Sequence, residues 1–183
     1  MDGNFFIDSR APWTITDVAS VTLATTDKAM VPLSNLPVLG SNYFWAGKLV
    51  RINMIGRITT AATPGNGTFD LYWGNGTDAN GTILVSSAAF ALTASQTNLT
   101  WNLNLFVRSR VIGSSGSLFA WGQMDFNNAV VASTLQPIMI PASAPAAVTV
   151  DLTAANVLSP QFKRSGSTAE TLQVHDLTFE AMN

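Results

Sequence analysis

The stretch LTWNLNLFVRSRVIG, residues 99–113, decides the fold class of this chain. Its odd positions are apolar and its even positions mostly polar: Leu99, Trp101, Leu103, Leu105, Val107 and Val111 against Thr100, Asn102, Asn104, Arg108 and Arg110. Successive side chains of a β-strand point to opposite faces, so this alternation predicts a long strand with one dry and one wet face. Phe106 interrupts the polar set, and we interpret it as part of a contact surface.

The same alternation recurs along the rest of the chain. The hairpin partner of the first strand is SLFAWGQMDF (117–126), and other strands are predicted at 18–25, 48–60, 68–73, 83–85, 134–140, 147–152 and 172–181. Roughly eight to ten strands with turn signals about every 8–12 residues are typical of a β-sandwich. We therefore predict an all-β fold, an antiparallel, jelly-roll-like β-sandwich. The best helix candidate is the short segment 153–158.

Two finer features follow from the pattern. In the last strand the apolar set changes parity between Val174 and Leu177, which predicts a β-bulge near His175 and Asp176. The tryptophans Trp73, Trp101 and Trp121 fall on the apolar side of their predicted strands, which favours core positions over a sugar-stacking platform.

The domain organisation is predicted as an irregular N-terminal arm, residues 1–17, and a single sandwich domain, residues 18–183. The arm carries Phe5, Phe6 and Trp13, which must be buried on the flank of the domain or in a neighbour. A second aromatic group, Tyr43, Phe44 and Trp45, lies in a loop before Gly47. It either covers a sheet edge or contacts a partner. The sequence leaves the alternatives open for this loop and for the N-terminal arm.

The composition of the chain limits the classes of function that it can have. Charged residues make up 11% of the chain, against about 25% in an average soluble domain. Thr, Ser, Asn, Gln and Gly replace them, and such a surface is easily desolvated because one hydrogen bond satisfies a hydroxyl or amide. This favours a surface that other subunits cover. With a net charge of −2 and nine scattered Lys and Arg, the sequence shows no basic patch for nucleic acid and no transmembrane span.

No catalytic, metal or cofactor site is predicted. His175 is the only histidine, and its neighbour Asp176 points to the opposite face of the strand. The acids show no calcium-loop spacing, cysteine is absent, and the glycine-rich turns lack the Lys and following helix of a phosphate loop. The N-terminal sequence lacks the basic start and apolar core of a secretion signal, so we expect assembly in the cytoplasm.

Two long runs carry a family resemblance. AGKLVRINMIGRITTAATPGNGTFDLYWG (46–74) and TWNLNLFVRSRVIGSSGSLFAWGQMDF (100–126), in that order, resemble a group of tailed-bacteriophage virion structural proteins. The resemblance implies a non-enzymatic β-sandwich of the virion, either a capsid decoration (cement) protein or a head or tail fibre component. It also implies the phage major capsid protein or a neighbouring virion protein as partner, and it supplies no catalytic residues.

Low-charge faces and sheet edges that need covering favour a closed symmetric assembly, and we predict a homotrimer. The predicted contact residues are aromatic: Phe5, Phe6, Trp13, Tyr43, Phe44, Trp45 and Phe106. The alternative function is a carbohydrate-binding jelly-roll module, possibly on a fibre. Its candidate sugar site is the strand face formed by Thr68, Asp70 and Tyr72, to which the aromatic loop could add.

Overall fold

Two antiparallel sheets pack face to face in the computed structural model, which describes residues 12–127, 129–131, 137–166 and 168–182. The larger sheet has the strand order β1-β13-β4-β8-β9-β10, with β2 beside β13 and β11 beside β9. The smaller sheet has the order β3-β12-β5-β6, with β7 beside β5. The predicted all-β antiparallel sandwich is confirmed.

The strands of the described residues are numbered along the chain. They are β1 (Trp13–Thr16), β2 (Val21–Thr22), β3 (Lys28–Ala29), β4 (Leu49–Thr59), β5 (Asn66–Gly74), β6 (Thr82–Ser86), β7 (Phe90–Ala91), β8 (Leu99–Val111), β9 (Gly116–Phe126), β10 (Ile138–Ile140), β11 (Val148–Val150), β12 (Val157–Arg164) and β13 (Thr171–Ala181). The chain passes between the sheets repeatedly, so consecutive strands such as β4 and β5 lie in opposite layers. One short 3-10 turn, Leu33–Asn35, is the helix of the described residues.

The core lies between the two sheets, and strand alternation builds it. On β8, Trp101, Leu103, Leu105 and Val107 are buried, while the side chains between them face outward. The inward side chains of β4 and β13 continue this layer, and Phe69 and Phe162 of the smaller sheet pack from the other side. The core needs no disulfide, because a domain of this size buries enough apolar surface.

The predicted hairpin and bulge are confirmed. β8 and β9 pair antiparallel around the turn that begins at Gly113. On β13 the register against β4 shifts between Val174 and Asp176, so His175 is the extra residue. The bulge keeps both apolar sets of β13 on the inner face, because one inserted residue restores the parity.

The best short helix candidate, 153–158, is not a helix. Strand β12 begins at Val157, and its first six residues are all buried, including Ser159 and Gln161. Because both faces of β12 are covered, the strand shows no alternation of apolar and polar residues. Pro160 further obscures it in the sequence, because proline is uncommon inside strands.

The irregular arm predicted for residues 1–17 does not extend over 13–16. Those residues form β1, an edge strand in which Trp13 stands opposite Phe179 and Ile15 opposite Leu177. Both side chains pack against the core. An alternation over only four residues does not distinguish a strand from a loop by sequence. The predicted strand at 18–25 shrinks to β2. Of the strand predicted at 134–140, residues 138–140 form β10, and residues 134–136 lie outside the described residues.

Candidate functional site

A row of aromatic and arginine side chains stands on the outward face of the larger sheet. The register of β8 and β9 places Phe106 opposite Trp121 and Arg108 opposite Phe119. The register shifts between Ser109 and Val111, and Arg110, the residue between them, lies over the ring of Phe119 and so shares the same face. These five residues, Phe106, Arg108, Arg110, Phe119 and Trp121, are called the aromatic–arginine ladder below.

The members of the ladder contact one another closely. The ring centroids of Phe106 and Trp121 lie 5.4 Å apart with the planes 20° from parallel, and Phe119 lies 5.3 Å from Trp121. The guanidinium of Arg110 sits 4.0 Å above the Phe119 ring, and that of Arg108 lies 5.9 Å from the Trp121 ring. All three rings are half-buried and both arginines are exposed. Phe106 therefore faces outward, where it contacts Trp121 and lies beside the other residues of the ladder.

The core position predicted for Trp121 is wrong, whereas those of Trp73 and Trp101 are confirmed. On β9 the buried positions are even-numbered and include Leu118, Ala120 and Met124. Phe119 and Trp121 occupy the odd, outward positions. The sequence obscured this phase because both faces of β9 carry large apolar residues, so periodicity could not tell the inner face from the outer one.

A groove runs beside the ladder, between β9 and the segment that follows β10. Its volume is about 380 Å³. Trp121 and Phe119 form one wall, and Met139, Pro141 and Pro145 form the other. Met139 is 61% exposed although it is wholly apolar. The groove is thus an open, apolar depression at the β9–β10 edge of the larger sheet.

The outward face near the ladder carries charges of both signs, with Asp125 of β9 and Glu180 of β13 beside its arginines. Four of the nine Lys and Arg lie on β4 and β8 with their side chains on this face: Arg51, Arg57, Arg108 and Arg110. The Nε of Arg51 lies 3.5 Å from a carboxylate oxygen of Glu180. The Nε–H of Arg57 donates a hydrogen bond to the side-chain oxygen of Gln173 at 3.0 Å. Arg108 and Arg110 take part in none of the ion pairs formed among residues 12–127, 129–131, 137–166 and 168–182. The ladder therefore offers two positive charges to a ligand.

The residues of the aromatic loop before β4 differ in whether they cover the domain or remain exposed. Phe44 is buried and lies 5.8 Å from the ring of Trp73, so it covers the core. Tyr43 packs beside Phe44 and its burial raises the pKa of its hydroxyl to about 12. Trp45 is 49% exposed, and the ammonium of Lys48 lies 3.4 Å from the Tyr43 ring centroid and 3.9 Å from that of Trp45.

The strand face proposed for sugar binding is covered. Thr68, Asp70 and Tyr72 do share the outward face of the smaller sheet, because their neighbours Phe69 and Leu71 point into the core. However, Asp70 is 1% exposed and Tyr72 is 5% exposed. In this structure neither side chain presents a platform on which a sugar could stack.

Charged groups account for that burial. The ammonium of Lys163 lies 2.6 Å from a carboxylate oxygen of Asp70 and 3.3 Å from one of Asp27, and the Tyr72 hydroxyl donates to Asp27 at 2.7 Å. Burial, together with the neighbouring carboxyl of Asp70, raises the pKa of Asp27 against the opposing effects of Tyr72 and Lys163. Burial lowers the pKa of Lys163, but the two carboxylates outweigh it and raise that pKa. No sequence motif pairs Asp27 with Lys163, so only folding reveals this cluster.

His175 has a carboxylate partner that the sequence did not suggest. Its Nδ1 lies 2.8 Å from a carboxylate oxygen of Asp17, the residue after β1. The two side chains are exposed, Asp17 to 76%. An exposed pair on the rim of a sheet holds the imidazole in place but offers no desolvated cleft for catalysis.

The ladder groove is not the only depression on the surface. A groove of about 380 Å³ near β2 and β3 is lined by residues such as Met30, Leu33 and Asp78, and its acid is paired with Lys28 at 2.7 Å. Within the described part of the chain, no three His, Asp or Glu side chains group to hold a metal ion. The described residues also contain no helix long and apolar enough to cross a bilayer.

Comparison of the chain with family models, with curated proteins and with solved structures found no match in any of the three. The geometry of the ladder and groove therefore carries the functional argument together with the sequence resemblance. Phe5 and Phe6, the remaining predicted contact residues, lie outside the described residues, and Trp13 packs on its own domain, where its indole N–H points to the Asn35 carbonyl at 3.4 Å.

Proposed function

We propose that this chain is a non-enzymatic structural component of a phage particle, a capsid decoration (cement) protein that coats or stabilises the head through subunit contacts. The two runs with the virion-protein resemblance contain β4, β5, β9 and all of β8 except Leu99. Three of these strands, β4, β8 and β9, lie side by side in the larger sheet, and β8 and β9 carry the ladder. The proposal places the chain in the virion, with the major capsid protein or a neighbouring virion protein and further copies of itself as partners.

The observation that carries the proposal is the composition of the outward face of the larger sheet. Aromatic residues, Met and Arg are enriched at protein interfaces, whereas Lys, Asp and Glu are depleted. Trp and Arg dominate the energetic hot spots of such interfaces. The ladder and the adjoining Met139 have this composition, and they stand on a face that a solitary soluble domain would normally make polar.

Protein packing fits the ladder better than sugar stacking does. A sugar stacks on a free aromatic face, but Phe106 covers one face of Trp121, and Arg110 covers one face of Phe119. Trp45 is the aromatic residue that best favours the second candidate function, carbohydrate binding, because half of its surface is exposed. Binding of glycans at Trp45 would be compatible with a fibre location.

A homotrimer remains our proposal for the assembly. The larger sheet ends in short strands, β1 at one edge and β10 at the other. Edge strands present unpaired backbone groups, and a closed ring of subunits covers them without open-ended polymerisation.

Particle incorporation tests the function. The chain should be present in stoichiometric amounts in purified virus particles, and Trp121→Ala should abolish its attachment while the variant remains folded. Leu33→Ala is the control because Leu33 is an exposed apolar residue that lines the separate groove near β2 and β3, and it should attach normally. Absence of the chain from particles, or normal attachment of Trp121→Ala, would refute the proposal.

A further inference from the structure

We propose that the groove beside the aromatic–arginine ladder binds the N-terminal segment, residues 2–8, of a second copy of this chain. The inference rests on the proposed function, because it names the occupant of the surface through which the subunits assemble. It concerns the contact between copies and not the contact with the particle.

The groove has a defined chemistry. Its walls are apolar, formed by Phe119 and Trp121 on one side and by Met139, Pro141 and Pro145 on the other. Next to it stand the guanidinium groups of the ladder, which form no ion pair with any acid of the described residues. A matching ligand has a bulky apolar centre and a carboxylate on its flank.

The N-terminal sequence has this composition. Residues 2–8 read DGNFFID, with Phe5, Phe6 and Ile7 between the carboxylates of Asp2 and Asp8. The two phenylalanines supply large apolar surfaces for the groove walls, where aromatic pairs stabilise a contact beyond simple burial of area. A carboxylate accepts the paired N–H groups of a guanidinium, which makes this type of hydrogen bond stronger than a neutral one.

Strand order favours binding between copies over binding within one copy. The segment leads into β1, at one edge of the larger sheet, whereas the groove lies at the β9–β10 edge. Within one chain Phe6 would have to cross four strand spacings to β9 and a fifth to the β10 side of the groove, about 19–24 Å at about 4.8 Å each, so the residues up to Trp13 would have to run almost fully extended. In a head-to-tail arrangement the β1 edge of one copy approaches the groove of the next. The step from Phe6 to Trp13, which spans at most about 25 Å, then reaches the groove without full extension.

Head-to-tail contacts of this kind close into a ring when the rotation between subunits permits, as the proposed homotrimer requires. Each copy then donates one segment and accepts one. The segment and the groove are separate parts of the chain, so each can be disabled without the other.

Sedimentation velocity of the full chain tests this inference through two double variants. Phe5→Ala with Phe6→Ala disables the segment, and Arg108→Glu with Arg110→Glu disables the site beside the groove. Each variant alone should dissociate to monomers, with the self-association constant weakened about thirtyfold or more, the effect of losing one hot spot. Circular dichroism should show an unchanged β spectrum for both.

Mixing the two variants is the decisive step. The groove of the first variant and the segment of the second are both intact, so an equimolar mixture should restore a complex of two chains. The matched controls, Leu33→Ala for an exposed apolar residue elsewhere and Arg57→Glu for another arginine of the same face, should associate as the wild type does.

Three outcomes would overturn the inference: unchanged association of both variants, dissociation without recovery on mixing, or a wild-type chain that is monomeric at micromolar concentration. Particle attachment is scored separately with the same variants. If association persists in both variants while Trp121→Ala still fails to attach to particles, the proposed function stands and the assignment of the groove fails.

Discussion

Phe106 on β8 and Trp121 on β9 stack with their ring centroids 5.4 Å apart on the outward face of the larger sheet. Their strands are hydrogen-bonded neighbours, and these two residues stand directly opposite each other in the register. The stack is therefore a cross-strand aromatic pair, held on both sides by the backbone of a long hairpin. Because it lies outside the core, its removal should affect contacts with other molecules more than folding.

Separate substitutions of Trp121 and Trp101 should distinguish a role in external contacts from a role in the core. Trp121→Ala should lower the free energy of unfolding by only about 1 kcal/mol, the worth of an aromatic pair. Trp101→Ala should lower it by about 3–5 kcal/mol, because Trp101 is 1% exposed and its removal leaves a cavity. Urea unfolding followed by circular dichroism measures both values. Equal losses would show that Trp121 belongs to the core.

Gly56 should resist substitution. Its partner on β8 is Trp101, and a Cβ added to Gly56 would lie 2.6 Å from the indole ring and would also collide with the carbonyl oxygen of Gln173. Gly56→Ala should therefore destabilise the domain by about 1–3 kcal/mol or more through overpacking. Asn102→Ala, at an exposed position of β8, is the control and should change stability by less than about 0.5 kcal/mol. A thermal melt of Gly56→Ala equal to that of the wild type would contradict the close approach of these strands.

Tyr43→Phe should retain at least the stability of the wild type at neutral pH. The Tyr43 hydroxyl is buried and makes no hydrogen bond to another described residue, so phenylalanine removes an unsatisfied polar group. Burial raises the hydroxyl pKa from 10.0 to about 12, and the corresponding stability is present below the unfolded value and lost as the pH rises through the folded value. The alkaline loss of stability between about pH 10 and 12 should therefore be smaller in the variant. Urea titrations at both ends of that range measure it, and an equal loss would exclude Tyr43 as its cause.

The buried acid Asp27 and the exposed acid Asp78 should produce opposite pH effects. Asp27 has a raised pKa, so its neutral form is favoured by folding, and its contribution to stability is lost as the pH rises from 3.8 through the folded value. Asp27→Asn keeps an acceptor for the Tyr72 hydroxyl without a charge. Its stability relative to the wild type should rise as the pH rises from acid to neutral.

Asp78 provides the control of opposite sign. Burial alone would raise the pKa of Asp78, but hydrogen bonds from the Lys28 ammonium and the Ala29 backbone N–H lower it on balance. Its stabilising contribution is present above 3.8 and lost as the pH falls through the folded value. Asp78→Asn should thus lose stability relative to the wild type at neutral pH and lose less in acid. The same sign for both variants in urea unfolding would refute the assignment of these pKa directions.

Truncation should show that β1 belongs to the domain. Removal of residues 1–16 eliminates the pairing of Trp13 and Ile15 with β13, whereas removal of residues 1–12 leaves β1 intact. The shorter chain should therefore melt at a temperature lower by several degrees than the chain that begins at residue 13, since about 1 kcal/mol corresponds to roughly 2–4 °C at this size. Identical melting of the two truncated chains would restore the view that residues 13–16 are a detached arm.

Much of the larger sheet was predictable because its strands have one buried and one exposed face. The alternation in 99–111 located β8 within one residue at its ends, and the parity change in 172–181 located the bulge at His175. These features are local: each depends on side chains within a few residues of one another. The outward position of Phe106, which we predict to be a contact residue, was found in the same way, as an apolar side chain in a polar series.

The remaining errors occur where a second element covers a strand or where both faces are apolar. β12 escaped prediction because its outward side chains Ser159 and Gln161 are buried, with Gln161 hydrogen-bonded to the backbone of Thr77 and Ala79. The outward position of Trp121 was missed because Phe119 and Trp121 resemble core residues until the register with β8 is known.

The amino-acid sequence by itself determined the all-β class, the long hairpin and the bulge, because backbone alternation is a property of neighbouring residues. Only the tertiary structure decided which side of each strand is covered, which aromatic residues line an open groove, and which acids share Lys163. Those properties depend on contacts between strands that are distant in the chain, and no local pattern specifies what packs against a given face.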